Sequence, residues 1–186
     1  MILSVNRIVD ELSALYEFRA HHRYGLAAVS QRSHALQAAA LARQAELSEP
    51  VVVAALFHDI GHMIHNLGDH PAAHGVDDRH EVVGADWLEP WFGAEVTEPI
   101  RLHVQAKRYL CSVEPHYFSS LSSDSVESLA LQGGPMSDTE VASFRMTSGW
   151  QESVALRRID DRAKDSSVIV PTFDEFIPLI RRCLQR

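Results

Sequence analysis

The apolar run Val51-Val-Val-Ala-Ala-Leu-Phe57 ends abruptly in His58-Asp59, and this junction constrains the fold more than any other stretch of the chain. Launched by Ser48-Glu49-Pro50, the run reads as a helix buried on every side, with Ser48 as its cap, Pro50 in its first turn and Gly61 as its stop. An imidazole and a carboxylate at the inner end of such a helix are costly to bury without partners. Adjacent helical positions diverge by about 100°, so the two side chains cannot satisfy each other. A metal ion is the common partner able to take both.

The rest of the chain offers helices to surround that run. Val5, Ile8, Val9, Leu12, Leu15 and Tyr16 recur at three- and four-residue steps and predict one amphipathic helix. His21-His-Arg-Tyr-Gly25 follows as a polar and aromatic turn, and Ser33 is the expected N-cap of a second helix to about Glu46, with His34 in its first turn. Between Gly61 and Arg79 the chain reads as a long histidine-rich loop, of a length that is often functional. Helical patterns resume over His80 to Trp91 and Glu95 to Leu110, then over a short segment from Leu121 to Leu131. Ser137-Asp-Thr-Glu140 is a capping box, Trp150 to Lys164 a further helix, and Pro171-Thr172 the start of the last. No alternating strand, repeat or composition break occurs, so the expected fold is all-α, a single domain over residues 1–186.

Composition excludes several function classes. The formal charge is -8, without a Lys/Arg block, which disfavours a nucleic-acid partner and favours a small molecule. No apolar run approaches the ~20 residues of a membrane span. Cys111 and Cys183 stand far apart, outside any CxxC spacing, and Asn6, Arg7, Asp10 and Glu11 interrupt the N-terminal apolar residues. A cytoplasmic chain with free thiols is therefore expected. No feature of the sequence sets an oligomeric state. There are 11 histidines against 17 Lys plus Arg, so position must separate ligands from bystanders.

Six polar residues sit on apolar helical segments: His34, His58, Asp59, His80, His103 and Asp160. Taken singly, each has a plain structural role open to it, such as Asp160 pairing with an arginine. In order they read H, HD, H, H, D, which resembles the HD-domain superfamily of helical metalloproteins. Its minimal signature of His34, His58-Asp59 and Asp160 suits one ion and a metal-dependent phosphohydrolase acting on a nucleotide or phosphate monoester. Adding His80 and His103 exceeds the needs of one ion and suits two ions bridged by Asp59, with mixed His and carboxylate ligation that favours iron.

That larger set resembles the mixed-valent diiron oxygenase branch, which includes myo-inositol oxygenase and the 2-amino-1-hydroxyethylphosphonate dioxygenases. The finer resemblance is to the phosphonate enzymes. It rests on His-Ala-Leu-Gln-Ala-Ala at 34–39, His-Asp-Ile-Gly-His at 58–62 and Ala-Lys-Arg-Tyr-Leu at 106–110. Leu-Gln-Gly-Gly-Pro-Met at 131–136 and Arg-Arg-Ile-Asp-Asp-Arg-Ala-Lys at 157–164 complete it. The resemblance implies an HD-domain helical bundle with two Fe ions, mixed-valent Fe(II)/Fe(III), and O2 as co-substrate. The implied reaction splits the C–P bond of a small 1-hydroxyphosphonate into phosphate and a carboxylic acid, with no catalytic residue beyond the metal ligands.

Spacing supports an anionic substrate independently. His103 with Lys107, and Asp160 with Arg157, each place a ligand and a cation one turn apart on one helical face. Two cations beside a metal centre make a site for a small dianion. The competing assignment is that Lys107 and Arg157 merely balance Asp59 and Asp160. The resemblance adds His62 and Ser125 as anion contacts and Tyr24 as a lid residue, although Tyr24 could equally be a packing residue. The phosphonate enzymes carry Glu three residues after that tyrosine, where this chain has Ala27. The tail of the substrate is thereby left open between amino, N-methylated and uncharged forms, with Asp69, Asp77 or Asp78 available to meet a cation. A ligand-sensing domain with a vestigial metal site is the non-enzymatic alternative.

Overall fold

A computed structural model describes residues 2–20, 29–65, 67 and 71–185, and the side chains among them except those of residues 2–5 and 73. The architecture is all-α, as expected: α1 (Ile2–Phe18), α2 (Gln31–Gln44), α3 (Glu49–Phe57), α4 (Gly61–Ile64), α5 (His80–Leu88) and α6 (Ala94–Val113) precede the shorter α7 (Tyr117–Ser120), α8 (Ser123–Leu131) and α9 (Asp138–Phe144). The chain closes with α10 (Trp150–Arg162) and α11 (Ile177–Cys183). No strand occurs among the described residues beyond an isolated bridge pairing Phe92 with Leu184. None of the described helices is long and apolar enough to cross a membrane.

Helix α3 is the axis of the fold. Every residue from Val51 to Phe57 is buried, and α2, α6, α10 and α11 all pack against it. A fully buried side chain of this size contributes about 1.5–3 kcal/mol, so the run itself dictates that other helices enclose it. Helix α1 joins through Ile8, Val9, Leu12 and Tyr16, whose hydroxyl donates to the carbonyl of Leu56. A second apolar cluster gathers Leu102, Ala106, Tyr109 and Leu110 of α6 with Tyr117, Met136 and Phe144. Helices α2, α5, α6 and α10 present buried polar residues toward the far end of α3.

Three local expectations are revised. The cap of α2 is Ser30, whose side chain accepts from the backbone N–H of Ser33, because the helix begins one turn earlier than the apolar pattern shows. The segment from 61 to 79 is not all loop: α4 and a 3-10 turn at Pro71–His74 lie within it. Gly61 does not stop α3 through a left-handed cap. It opens α4 after tight turns in which Ile60 N–H donates to Phe57 O at 3.0 Å and His62 N–H to Asp59 O at 3.0 Å. Glycine is required there by packing, since a Cβ would sit 2.1 Å from the carbonyl oxygen of His80. The expected capping box from Ser137 to Glu140 is present in full, and Thr172 forms a second with Glu175.

Candidate metal centre

Five helices meet where α3 ends. Helix α2 brings His34, the turn after α3 brings His58 and Asp59, α5 brings His80 as its first residue, and α6 and α10 bring His103 and Asp160. All six side chains are buried. They fall into two groups around the Asp59 carboxylate. On one side His34 Nε2 lies 3.1 Å from His58 Nε2, 3.3 Å from Asp160 Oδ1 and 3.4 Å from Asp59 Oδ2. His58 Nε2 lies 3.4 Å from the same Asp59 oxygen and 3.8 Å from Asp160 Oδ1. On the other side His80 Nε2 and His103 Nε2 are 3.2 Å apart and lie 3.5 and 3.7 Å from Asp59 Oδ1. Ligand atoms about 2.0–2.2 Å from a common ion are themselves about 3–3.5 Å apart, so both groups have the dimensions of a coordination shell.

The tautomers agree. His34 Nδ1–H donates to Ala163 O at 2.8 Å, His58 Nδ1–H to Ala55 O at 2.9 Å and His103 Nδ1–H to Ile100 O at 2.7 Å. His80 Nδ1–H donates to Asp78 Oδ1 at 2.9 Å. Each acceptor takes a proton and gives none, so all four rings turn Nε2 inward, the arrangement that orients metal-bound histidines. Asp59 Oδ2 is buried without a hydrogen-bond partner. An orphaned buried oxygen costs about 1–3 kcal/mol, a deficit that an ion within its group would remove. The six residues therefore fit a pair of ions sharing one carboxylate. Four ligand atoms would surround one ion and three the other, leaving room for further ligands.

Protons are the alternative balance for the two carboxylates. Burial disfavours an imidazolium at His34, but the adjacent carboxylates of Asp160 and Asp59 outweigh it and hold the group up at about 9. His80 is likewise held at about 9 against burial, by Asp78 and Asp59. Burial, His80 and His58 keep His103 neutral, well below the ordinary imidazole range. Asp59 and Asp160 are held well below the usual carboxylate range in spite of burial, Asp59 chiefly by His58 and Asp160 by Arg157 and Lys164. Ion uptake must displace the protons on His34 and His80. Titrating metal-free protein with a divalent ion at pH 7 is expected to release protons, and affinity is expected to rise as pH rises toward about 9 and to fall in acid. Calorimetry in buffers of different ionisation enthalpy reads that release directly.

A cationic patch adjoins the first group. Arg157 Nη1 contacts Asp160 Oδ2 at 2.7 Å, Nη2 reaches Asp161 Oδ1 at 2.5 Å and Ser125 Oγ at 3.4 Å, and Nε donates to Tyr117 OH at 3.2 Å. Lys164 Nζ approaches Asp160 Oδ1 at 3.8 Å. Lys107 is only 2% exposed, yet Nζ donates to Ser128 Oγ at 2.8 Å and to Ser125 O at 3.5 Å, with no carboxylate among these partners. Burial and the nearby guanidinium of Arg157 push this ammonium down to about 7. Arg157 does pair with Asp160, as the competing assignment holds, whereas Lys107 hydrogen-bonds to Ser128 and Ser125 and feels Asp160 through space.

The structure brings His34, His58, Asp59, His80, His103 and Asp160 together, and gathers Lys107, Ser125 and Arg157 beside them. His62 stacks on His80, with ring centroids 4.0 Å apart and planes 22° apart. Tyr24 and Ala27 lie outside the described residues, as does Asp69. Sequence reading passed over Tyr117, Ser128 and the true place of Asp78, which was offered for a substrate cation but is spent on His62 and His80. The signal for Asp78 was its position two residues before His80, where a carboxylate can reach the ring of the helix it precedes.

Comparison with known proteins agrees with this geometry. Residues 32–139 match the HD domain family. A hydroxymethylphosphonate dioxygenase of Gimesia maris is 43% identical over 190 residues, covering 99% of this chain and 94% of that protein. A 1-hydroxy-2-(trimethylamino)ethylphosphonate dioxygenase (glycine-betaine-forming) of Leisingera caerulea is 36% identical over 184 residues, covering 99% and 94%. An uncharacterized protein of Acanthamoeba polyphaga mimivirus is 32% identical over 179 residues, covering 95% and 80%. The chain belongs to the HD-domain family, in the branch that contains the hydroxyphosphonate dioxygenases.

Proposed function

We propose that this chain is an iron-dependent dioxygenase that cleaves the C–P bond of a small 1-hydroxyphosphonate to give phosphate and a carboxylic acid. The observation that carries the reading is the divided Asp59 carboxylate, with one oxygen facing His34, His58 and Asp160 and the other facing His80 and His103. A hydrolase of the minimal signature has no use for the second group. The reaction balances without an added reductant, since one dioxygen supplies the oxygen gained by the acid and the oxygen gained by the phosphate.

His34, His58, Asp59 and Asp160 would hold one iron and Asp59, His80 and His103 the other. When bound, a mixed-valent pair supplies the redox chemistry and polarises the hydroxyl of the substrate. The remaining work falls to the protein. Lys107 spends two N–H groups on Ser128 Oγ and Ser125 O, which leaves a third for a phosphonate oxygen, and an incoming dianion would restore its charged form. Arg157 is pinned by Asp160, Asp161 and Tyr117, so it offsets charge from a fixed position. Ser125 adds a hydroxyl from the first turn of α8. Both named relatives act on 1-hydroxyphosphonates that differ in their tails, and this chain falls within that substrate class.

Aerobic turnover of hydroxymethylphosphonate and its 2-trimethylamino homologue tests the reading, with phosphate release and label from 18O2 in the products as readouts. Equal phosphate release under nitrogen would overturn it. His80→Ala and His103→Ala are expected to abolish turnover, where a hydrolase relying on the first group alone would survive both. Lys107→Met is expected to lower kcat/KM by roughly 10–100-fold, mainly through KM, since a hydrogen bond to a charged group contributes about 1.5–3 kcal/mol. Its iron content should stay at the wild-type level.

A further inference from the structure

The turn before α5 carries a half-buried carboxylate that touches both halves of the site. Asp78 Oδ1 accepts from His80 Nδ1–H at 2.9 Å and from the backbone N–H of His80 at 3.3 Å. Asp78 Oδ2 makes charge contacts only, 2.7 Å from His62 Nδ1 and 3.2 Å from His65 Nε2, neither aligned as a hydrogen bond. Between Asp78 and His80, Arg79 adopts a left-handed conformation, φ 49°, which folds the carboxylate back beneath the ring two residues on. The two imidazoles nearest to Asp78 are the stacked pair His62 and His80.

His62, His65 and Asp78 form a third cluster of possible ligand atoms, but its spacing differs from that of the other two. The 2.7 Å approach of His62 to Asp78 is shorter than any ligand spacing in the two groups above, whose atoms stand 3.1 to 3.8 Å apart. His65 Nδ1 accepts the backbone N–H of Leu67 at 3.2 Å, so the proton of the neutral ring sits on Nε2, the atom an ion would need.

We propose that Asp78 is a positioning residue shared by the metal centre and the substrate pocket, one oxygen turning His80 Nε2 toward Asp59 and the other turning His62 so that its Nε2 remains for the substrate. The part concerning His62 rests on the phosphonate reading above. The part concerning His80 stands without it. A carboxylate behind a histidine ligand fixes the tautomer and strengthens the lone pair. Because one carboxylate serves both rings, ion binding and substrate binding are coupled through it.

Titration of metal-free protein with cobalt(II), followed by visible absorption, tests the first part without any substrate. Wild type is expected to bind two ions per chain, and Asp78→Ala to keep one while losing about 10–100-fold in affinity for the other. The near-isosteric Asp78→Asn keeps a carbonyl acceptor for His80 and is expected to bind both ions within a few-fold of wild type. It places an amide donor against His62, and so is expected to lower kcat/KM for phosphate release about 10-fold or more. Placed in a His62→Ala background, Asp78→Asn should cost nothing further, because its effect runs through that ring. Wild-type cobalt affinity in Asp78→Ala, a third ion in wild type, or additive losses in the double variant would each overturn the proposal. If wild type releases no phosphate, the phosphonate reading fails and the cobalt titration alone decides the role of Asp78 at His80.

Discussion

Asp59→Ala is expected to cost two-ion binding and to lower kcat/KM about a thousandfold or more. Asp59 is the one side chain with an oxygen in each ligand group, so its loss leaves His80 and His103 as the second group and His34, His58 and Asp160 as the first. Two imidazoles alone are a poor site, while the first group retains a tighter one. Metal assistance contributes several kcal/mol of transition-state stabilisation, and at 1.36 kcal/mol per decade that is about three orders of magnitude. Asp59→Asn keeps the shape and removes the charge, and is expected to hold at most one ion. Iron content per chain, measured beside phosphate release, separates this outcome from simple unfolding. An Asp59→Ala protein that still binds two irons would contradict the bridging role.

Removing His80 or His103 tests the same division from the other side. Each is expected to empty the second group while sparing the first, with the loss of turnover following the loss of one ion. The cationic patch is separable from both. Lys107 contacts serines, not carboxylates, so its replacement should leave ion content intact and act on substrate binding. Ion content measured beside turnover thus separates the ligand variants at Asp59, His80 and His103 from the anion-binding variant at Lys107.

Much of this was legible because its signals are local. The run from Val51 to Phe57 announces its own burial, and His58-Asp59 at its end announces a polar site inside the core. The i, i+4 step from His103 to Lys107 fixes a shared face before any tertiary contact is known. What escaped reading depends on how distant segments meet. Ser30 caps α2, although Ser33 stands next to the first apolar residues, because the helix start is also held by Arg32 N–H donating to Ala20 O at 2.9 Å. Asp78 looked like one acidic loop residue among several, since its position two residues before His80 permits the contact but does not show that Arg79 turns left-handed and makes it. Tyr117 and Ser128 took their places beside Arg157 and Lys107 only through the packing of α7 and α8.

Gly61 joins fold and site most tightly. It was expected to end a helix, but its role is to let two backbones touch. A Cβ there would lie 2.1 Å from His80 O and 2.7 Å from both the carbonyl carbon and the Cα of His80, and backbone cannot swing aside as a side chain can. At Gly84, on the same crossing, the added atom would meet Ile60 Cγ2 at 3.0 Å and Gly61 N at 3.1 Å, a milder conflict. Gly61→Ala is therefore expected to destabilise the protein by about 3 kcal/mol or more, beyond Gly84→Ala. At roughly 2–4 °C per kcal/mol for a chain of this size, Tm should fall by about 10 °C. The relief available to Gly61→Ala is to push the start of α5 outward, which carries His80 away from Asp59 while His34, His58 and Asp160 stay in place. Folded Gly61→Ala protein should accordingly bind one ion where wild type binds two. A variant that melts with wild type and binds both would show that α5 can give way at no cost, and that this crossing does not set the position of His80.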